Sequence, residues 1–378
     1  MNRFRSVLVR LVTIREGGLV LIILGFAGIL SLTSGSAVIP QPVPPGADVI
    51  SDAGSDGTVL VRDRITGREW RHRLTRRVNK FLQPGNLDKL VKNTSFFAIM
   101  AVGATLVIIT GGIDLSIGSV YCLAAVSGAM FLNYFGPTGP GASAHPVLVT
   151  AAGILLCIGI GAAAGLVNGL LITSLGIHPF IVTLGTMAIY RGIAFIMSRA
   201  QAYTFFPIQF TDGLIRLQAG PNIYPVPMFI MLAVAVAGTV FLGRMVLGRY
   251  VFAVGGNETA ARFSGIGVER VKLAVYTLLG VTCGIAAMIM LGYYGSASSD
   301  AGKGYELDVI AAAVVGGASL QGGRGSALGA LLGALLIQLI NNSIVILGID
   351  QNYSQVIIGA VIIAAVFADR AGSGFRAR

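Results

Sequence analysis

Asp114 is a lone carboxylate between two apolar runs, in the glycine-rich break GGIDLSIGSV at 111–120, where Ser116 and Gly118 follow it. A second break, GGASLQGGRGS at 316–326, carries Gly316, Gly317 and Gly323. A carboxylate at the bilayer centre costs roughly 2.5–3.5 kcal/mol on insertion scales, so this one needs a helix N-terminus, a water-filled cavity or a partner. Broken helices at membrane depth mark translocation paths, whereas the plainer reading has Asp114 capping a helix. The other reactive residue types form no constellation. His72, His145 and His178 are too scattered to make a ligand set, and Cys122, Cys157 and Cys283 lie inside apolar runs with no disulfide or metal framework. Ser116 or Ser319 can be paired on paper with His178, but neither stands in a nucleophile elbow. No catalytic residue, metal or cofactor is expected.

The most distinctive polar stretch is GRYVFAVGGNETAARFSGIGVERVK at 248–272. A short helix beginning near Asn257 has a capping amide, an acid in its first turn at Glu258, small residues at Ala260 and Ala261, and a stop at Gly265. Such a knob between two long apolar segments is a shape another protein can grip.

The elements that position these residues follow from composition. The chain has 54% hydrophobic and 11% charged residues, and a mean hydropathy of +0.80. Apolar stretches near the spanning length of about 20 residues recur at 17–39, 91–110, 115–135, 147–175, 177–198, 226–243, 271–294, 325–348 and 353–368, with a shorter run at 306–317 that reads as a half-helix or a tilted crossing. The expected fold is all-α: a polytopic integral membrane protein of eight to ten transmembrane helices, some of them broken. The net charge of +11 sits in clusters beside apolar segments, where it acts as a topology signal, so nucleic-acid binding is not expected.

Arg244, Arg249, Arg262, Arg270 and Lys272 place the 244–272 loop in the cytoplasm, and the tail at 370–378, with Arg370, Arg376 and Arg378, joins it there. Ten crossings from an inside amino terminus satisfy both. Residues 1–39 then form a cytoplasmic start and a retained first helix. Residues 40–80 break the pattern: after PQPVPPG come Arg62, Arg64, Arg68, Arg71, Arg73, Arg76 and Arg77, which a single first crossing puts outside. The later helices are expected to override that local signal. The alternation in TVLVRDRITGREWRH fits a small hairpin around Thr66 and Gly67, and equally a disordered loop against lipid headgroups.

Gly161 with Gly165, and Gly325, Gly329 and Gly333, give small-residue ridges for close helix approach. The two breaks also share a pattern that pairs Gly111 with Gly316, Gly112 with Gly317, Asp114 with Ser319, and Gly118 with Gly323, as an internal duplication would.

Four segments, VGATLVIITGGIDLSIGSV, GLVNGLLITSLGIHPFIVTLGTMAIYRG, GNETAARFSGIGVERVKLAVYTLLG and GYELDVIAAAVVGGASLQGGRGSALGALLGALL, closely resemble the permease subunits of bacterial ribose, xylose, arabinose and galactose ATP-binding-cassette importers. The resemblance covers about 81–369. It implies a bacterial inner-membrane permease that pairs with an identical or paralogous copy, two cytoplasmic ATPase subunits and a periplasmic sugar-binding protein, with membrane lipid around it. It assigns Asn257, Glu258, Ala260, Ala261, Arg262, Gly265 and Ile266 to an ATPase-coupling helix. To the translocation path and its breaks it assigns Asp114, Ser116, Gly118, Asn168, Phe180, Thr183, Glu306, Asp308, Gly316, Gly317 and Gly323. The arginine-rich insert departs from the family pattern. A nucleoside, furanone signal, polyol or branched-chain amino acid is the alternative cargo, and an ion-coupled secondary carrier the distant one, disfavoured by scarce intramembrane charge.

Overall fold

The computed structural model describes residues 15–51, 58–220, 223–361 and 363. The chain enters with α1 (Arg15–Thr33), passes through five short strands, and continues with α2 (Pro84–Ile109), α3 (Ile117–Tyr134), α4 (Pro146–Leu175) and α5 (Pro179–Ser198). A two-residue strand, β6 (Tyr203–Thr204), leads through a short helical turn to α6 (Val226–Arg244). After it come α7 (Val246–Gly256), α8 (Glu258–Phe263), α9 (Val268–Tyr294), β7 (Ser296–Ala297), α10 (Tyr305–Val315) and α11 (Ala327–Ile346). A last helical run occupies 353–361. Among the described residues eight helices, α1 to α6, α9 and α11, are long and apolar enough to cross a membrane. The protein is a mostly helical polytopic membrane protein.

Local sequence sets the ends of these helices. Pro84, Pro146, Pro179 and Pro227 stand in first turns, where a missing N–H costs nothing. Gly176 and Gly295 close α4 and α9 at φ +65°. The core is α2, buried all round from Thr94 to Ile109, with α9, α11, α10 and α6 packed about it. In lipid no hydrophobic drive pulls helices together, so backbone approach through small residues decides the pairing. The α4–α9 seam shows it: a Cβ added to Gly161 would strike the Gly280 carbonyl, and one on Gly165 the Tyr276 carbonyl. The second ridge works in the same way, Gly329 against Gly316 and Gly333 against Ala312, which sets α11 antiparallel to α10.

Hydrogen bonds fix which ends lie together. Ser326 at the start of α11 donates to Glu16 at the start of α1 at 2.9 Å, while Asn342 near its end donates to Asn86 of α2 at 2.8 Å. Tyr224 N–H and Tyr293 O–H both reach Asp88, at 2.9 and 3.4 Å, so the start of α2 lies by the end of α9. The end of α9 is opposite to α8, and the arginine-rich insert therefore emerges at the end of the bundle away from the 244–272 loop.

The insert is the main departure from an all-α expectation. Gly35 adopts φ +68° and helix α1 stops at Thr33, short of residue 39. Val38 and Ile39 then lie in β1 (Ser36–Pro40), which pairs antiparallel with β5 (Thr75–Asn79). Strands β2 (Ala47–Val49), β3 (Thr58–Asp63) and β4 (Glu69–Arg73) form a second sheet in that order. The hairpin read around Thr66 and Gly67 is present, and the disordered alternative fails for the described residues because β3 and β4 pair in register on either side of it and two of the arginines find carboxylates. Arg62 pairs with Glu69 at 2.5 Å and Arg64 with Asp48 at 2.6 Å. Asn79 ties the module to α1, donating to the Ser31 carbonyl and accepting from Ser34 and the N–H groups of Phe81 and Leu82. Asp63 accepts from Ile65 N–H, Thr66 N–H and the Thr66 hydroxyl, and the two backbone bonds first of all hold its carboxyl below the usual carboxylate range. A lowered folded-state value stabilises the turn above the ordinary carboxylate pKa, and acid removes that support as it protonates Asp63.

Gly280→Val puts a branched side chain against the Gly161 backbone. Its expected effect is a loss of about 1–3 kcal/mol or more from overpacking, read as a lower midpoint of thermal unfolding in detergent, whereas Gly159→Ala, where a Cβ meets nothing within 4 Å, leaves the midpoint unchanged.

Candidate functional site

Helix α2 ends in a Schellman motif: Gly111, at φ +80°, donates to Ile108 and Gly112 to Val107. The next helix must start within five residues, and Asp114 makes that possible. Its Oδ1 accepts from Ser116 N–H at 2.7 Å and Ser116 Oγ at 2.6 Å. Asn168 of α4 donates to Asp114 Oδ2 at 3.3 Å and to Ser116 Oγ at 2.8 Å. Thr183 of α5 accepts from Leu115 N–H at 3.1 Å, and Tyr190 donates to Asn168 Oδ1 at 3.1 Å and the Ala164 carbonyl at 2.9 Å. Asp114 is 4% exposed, and Ser116, Asn168 and Thr183 are fully buried. The structure thus brings four of the sequence-selected residues into one network, and internal donors take up the carboxylate. The carboxylate holds the turn that leads into α3 through Ser116 and joins it to Asn168 of α4, while α5 is reached through Leu115 N–H and Tyr190.

The second break repeats only half of this. Gly317, at φ +94°, donates to Val314 and Ala318 donates to Ala313, the same Schellman pattern. Its left-handed glycine is Gly317, which corresponds to Gly111, so the two breaks superpose one residue away from the sequence pairing of Gly111 with Gly316. Downstream they diverge. A longer coil, 316–326, precedes α11, and the cap there is Ser326, whose Oγ accepts from Gly329 N–H at 2.9 Å. Asp114 has no counterpart in it.

The two breaks meet at the end of α7, just ahead of α8. Gly323 N–H donates to the Ile109 carbonyl at 2.8 Å. A Cβ on Gly255, near the end of α7, would strike that same carbonyl and come within 2.7 Å of Gly323 N. Two residues on, Asn257 caps α8 by accepting from Ala260 N–H at 2.9 Å. Gly265, at φ +80°, donates to Arg262 and Ile266 to Ala261, closing α8 with a third Schellman motif. Ala261 is buried while Glu258, Ala260, Arg262 and Gly265 face outward. Arg262 bonds Glu269 at 2.6 Å and Lys272 bonds Glu258 at 2.8 Å, so α8 is strapped to the first turn of α9. The Glu269 hydrogen bond is the main reason the Arg262 guanidinium is held above its ordinary value.

The remaining candidates lie elsewhere. Phe180 is half-exposed on α5, whose start is capped by His178, accepting from Phe180 N–H at 3.3 Å. Gly118 makes room for the Gly302 carbonyl and for Glu306. Glu306 Oε2 is buried with no partner among the described residues, and Asp308 borders a cavity at the far end of the bundle. Two residues escaped the sequence reading. Tyr190 completes the Asp114 network through helical proximity that no spacing in α4 or α5 announces. Phe263, 89% exposed at the end of α8, had a signal in its being the one large apolar side chain of that helix.

Asp114→Ala leaves the buried Ser116 and Asn168 donors unmatched and is expected to cost about 1–3 kcal/mol. Asp114→Asn keeps an acceptor for Ser116 and should cost less. Thermal unfolding of both variants in detergent checks the order.

Comparison with known proteins agrees with this architecture. Residues 86–366 match the family described as branched-chain amino acid transport system / permease component. The chain is 38% identical over 290 residues to the ribose import permease protein of Escherichia coli, covering 76% of this chain and 87% of that one. It is 40% identical over 292 residues to the ribose import permease protein of Bacillus subtilis, covering 77% and 86%. With the D-allose transport system permease protein of Escherichia coli it shares 36% identity over 290 residues, covering 77% and 85%. No solved structure matches significantly. The relatives are permeases of import systems, transport components rather than enzymes, and the apolar helices agree with a multi-pass protein of the inner membrane. The chain belongs to the branched-chain amino acid transport system / permease component family, among relatives named as sugar import permeases.

Proposed function

We propose that this chain is the membrane permease of an ATP-binding-cassette importer that carries a monosaccharide into the bacterial cell, driven by cytoplasmic ATPase subunits. A periplasmic binding protein delivers the sugar, and a second permease copy or paralogue completes the path. The observation that carries the reading is the junction of Ile109, Gly255 and Gly323, where the segment leading into α8 touches both helix breaks at once. A push on α8 has no slack to dissipate into: its caps are satisfied and its ion pairs bind it to α9. Displacement is passed to the ends of α2 and α11, and discrete repacking of such elements is how alternating exposure is produced.

The ATPase grips the exposed face of α8, with Phe263 as the anchor beside Glu258, Ala260 and Arg262. An exposed aromatic on a rigid helix matches the side-chain types that dominate protein contacts. Asp114, Ser116, Asn168 and Thr183 hold the first break in register during the cycle, and Gly316, Gly317 and Gly323 shape the second.

Uptake of labelled ribose, allose, fructose and leucine, in cells lacking the chain and in cells with it restored, tests the assignment. ATP-dependent restoration of one sugar is the expected outcome. Restoration of leucine alone moves the cargo to an amino acid, and uptake that survives ATP depletion but not loss of the ion gradient defeats the importer reading. Phe263→Ala should lower sugar uptake by about tenfold or more, as for loss of a binding hot spot. Gly265→Arg should do the same by straining the left-handed cap. Membrane insertion of both variants, and the thermal stability of Phe263→Ala, are expected to stay close to wild type.

A further inference from the structure

The far end of the bundle holds a cavity of about 410 Å³ between α2, α10, α11 and the helical run at 353–361. Its size falls within the roughly 300–1,000 Å³ typical of small-molecule sites. Its lining differs from the rest of the bundle interior. Asn93, Gln338, Asn341, Gln351 and Gln355 face it together with Ser354, the ring of Tyr305 and one charge of each sign, Asp308 and Lys303. Polar side chains from three helices and the last helical run therefore converge on one space, five of them carboxamides, which calls for a solute.

Gln338 is the decisive residue. It is 4% exposed, two turns inside the end of α11, and its Nε2 has no hydrogen-bond partner among the described residues. A buried amide donor without an acceptor is unfavourable unless something supplies one. Its neighbours are arranged as a receiving shell. Asn341 Oδ1 accepts from the Ser354 hydroxyl, which leaves its amide protons free in direction, and Asn93 is held by the Tyr294 hydroxyl at 3.4 Å. Tyr305 is fixed by Phe97, with ring centroids 4.6 Å apart, and by Tyr121 at 5.5 Å.

We propose that this cavity binds a neutral polyhydroxylated solute of monosaccharide size, with Gln338, Asn341, Asn93, Gln355 and Asp308 hydrogen-bonding its hydroxyls and Tyr305 covering its C–H face. Hydroxyls donate and accept, and carboxamides do both in return, so an amide-rich shell suits a sugar better than it suits an ion. The inference rests on the import reading and adds where the sugar is held. The site lies at the end of the bundle opposite α8 and away from the Asp114 latch, so it is the place the solute occupies before the breaks move. The chain sets Asp114 aside for holding helices and uses a different set of side chains for cargo.

Saturation-transfer NMR on the full chain in lipid nanodiscs, with D-ribose, D-allose, D-fructose and L-leucine as separate probes, tests the site. At least one sugar should give transfer to the wild type. Gln338→Leu, which removes the amide at similar volume, should weaken binding of that sugar by about tenfold, the scale of one lost hydrogen bond. Gln355→Ala, on the exposed last helix, should weaken it less and serves if Gln338→Leu does not fold. Sugar binding unchanged in the variant that folds overturns the proposal, as does transfer from L-leucine alone. If cells take up a sugar with ATP while the nanodisc protein binds none, the cavity assignment falls and the import reading stands. If neither uptake nor binding occurs, both fall.

Discussion

A broken helix inside a bilayer frees backbone N–H and C=O groups where no water can satisfy them, and this chain resolves that constraint by making its breaks answer one another. The Ile109 carbonyl, left over where α2 stops, receives Gly323 N–H from the second break at 2.8 Å. Gly255 lies against the same carbonyl so closely that no Cβ fits. Three distant parts of the sequence are thereby joined at one oxygen. Because the third part leads directly to α8, the point that must be kept satisfied for stability is also the point at which the start of α8 is anchored to both breaks.

The same economy governs Asp114. A carboxylate at depth is tolerated when its oxygens are fully occupied, and here Ser116 and Asn168 occupy them. The network then reaches Thr183 and Tyr190, so the residue that allows α3 to start abruptly also sets α4 and α5 against it. Elsewhere the helices are joined by absence of side chain: Gly161 on Gly280, Gly329 on Gly316. Polar latches fix angle and register, and glycine seams fix distance. Both act over the short range on which helix association in lipid depends.

The β module at 36–79, outside the spanning helices, is held together by other means. Its hairpin turn is held by Asp63, its strands by ion pairs, and its seat on α1 by Asn79. It lies at the same end of the bundle as the proposed cavity.

Much was legible in the chain itself. Apolar runs of spanning length gave the helices, prolines and glycines their ends, and the sequence around Asn257 and Gly265 gave α8 with both caps, because each of these depends on interactions within a few residues. The glycine ridges were readable for the same reason, though not their partners. Tertiary structure decided what local pattern cannot carry. It showed that the apparent repeat is offset by one residue, since Gly317 rather than Gly316 takes the left-handed turn. It pairs residues 36–40 with 75–79 in one sheet and adds β2 to the β3–β4 hairpin in a second. It gave Asp114 a second partner in Asn168, about 50 residues away, and left the Gln338 amide donor without an acceptor among the described residues. Local propensity is written in neighbouring residues, but the satisfaction of a buried polar group depends on whichever backbone or side chain the fold brings within 3 Å, and only the folded chain specifies that.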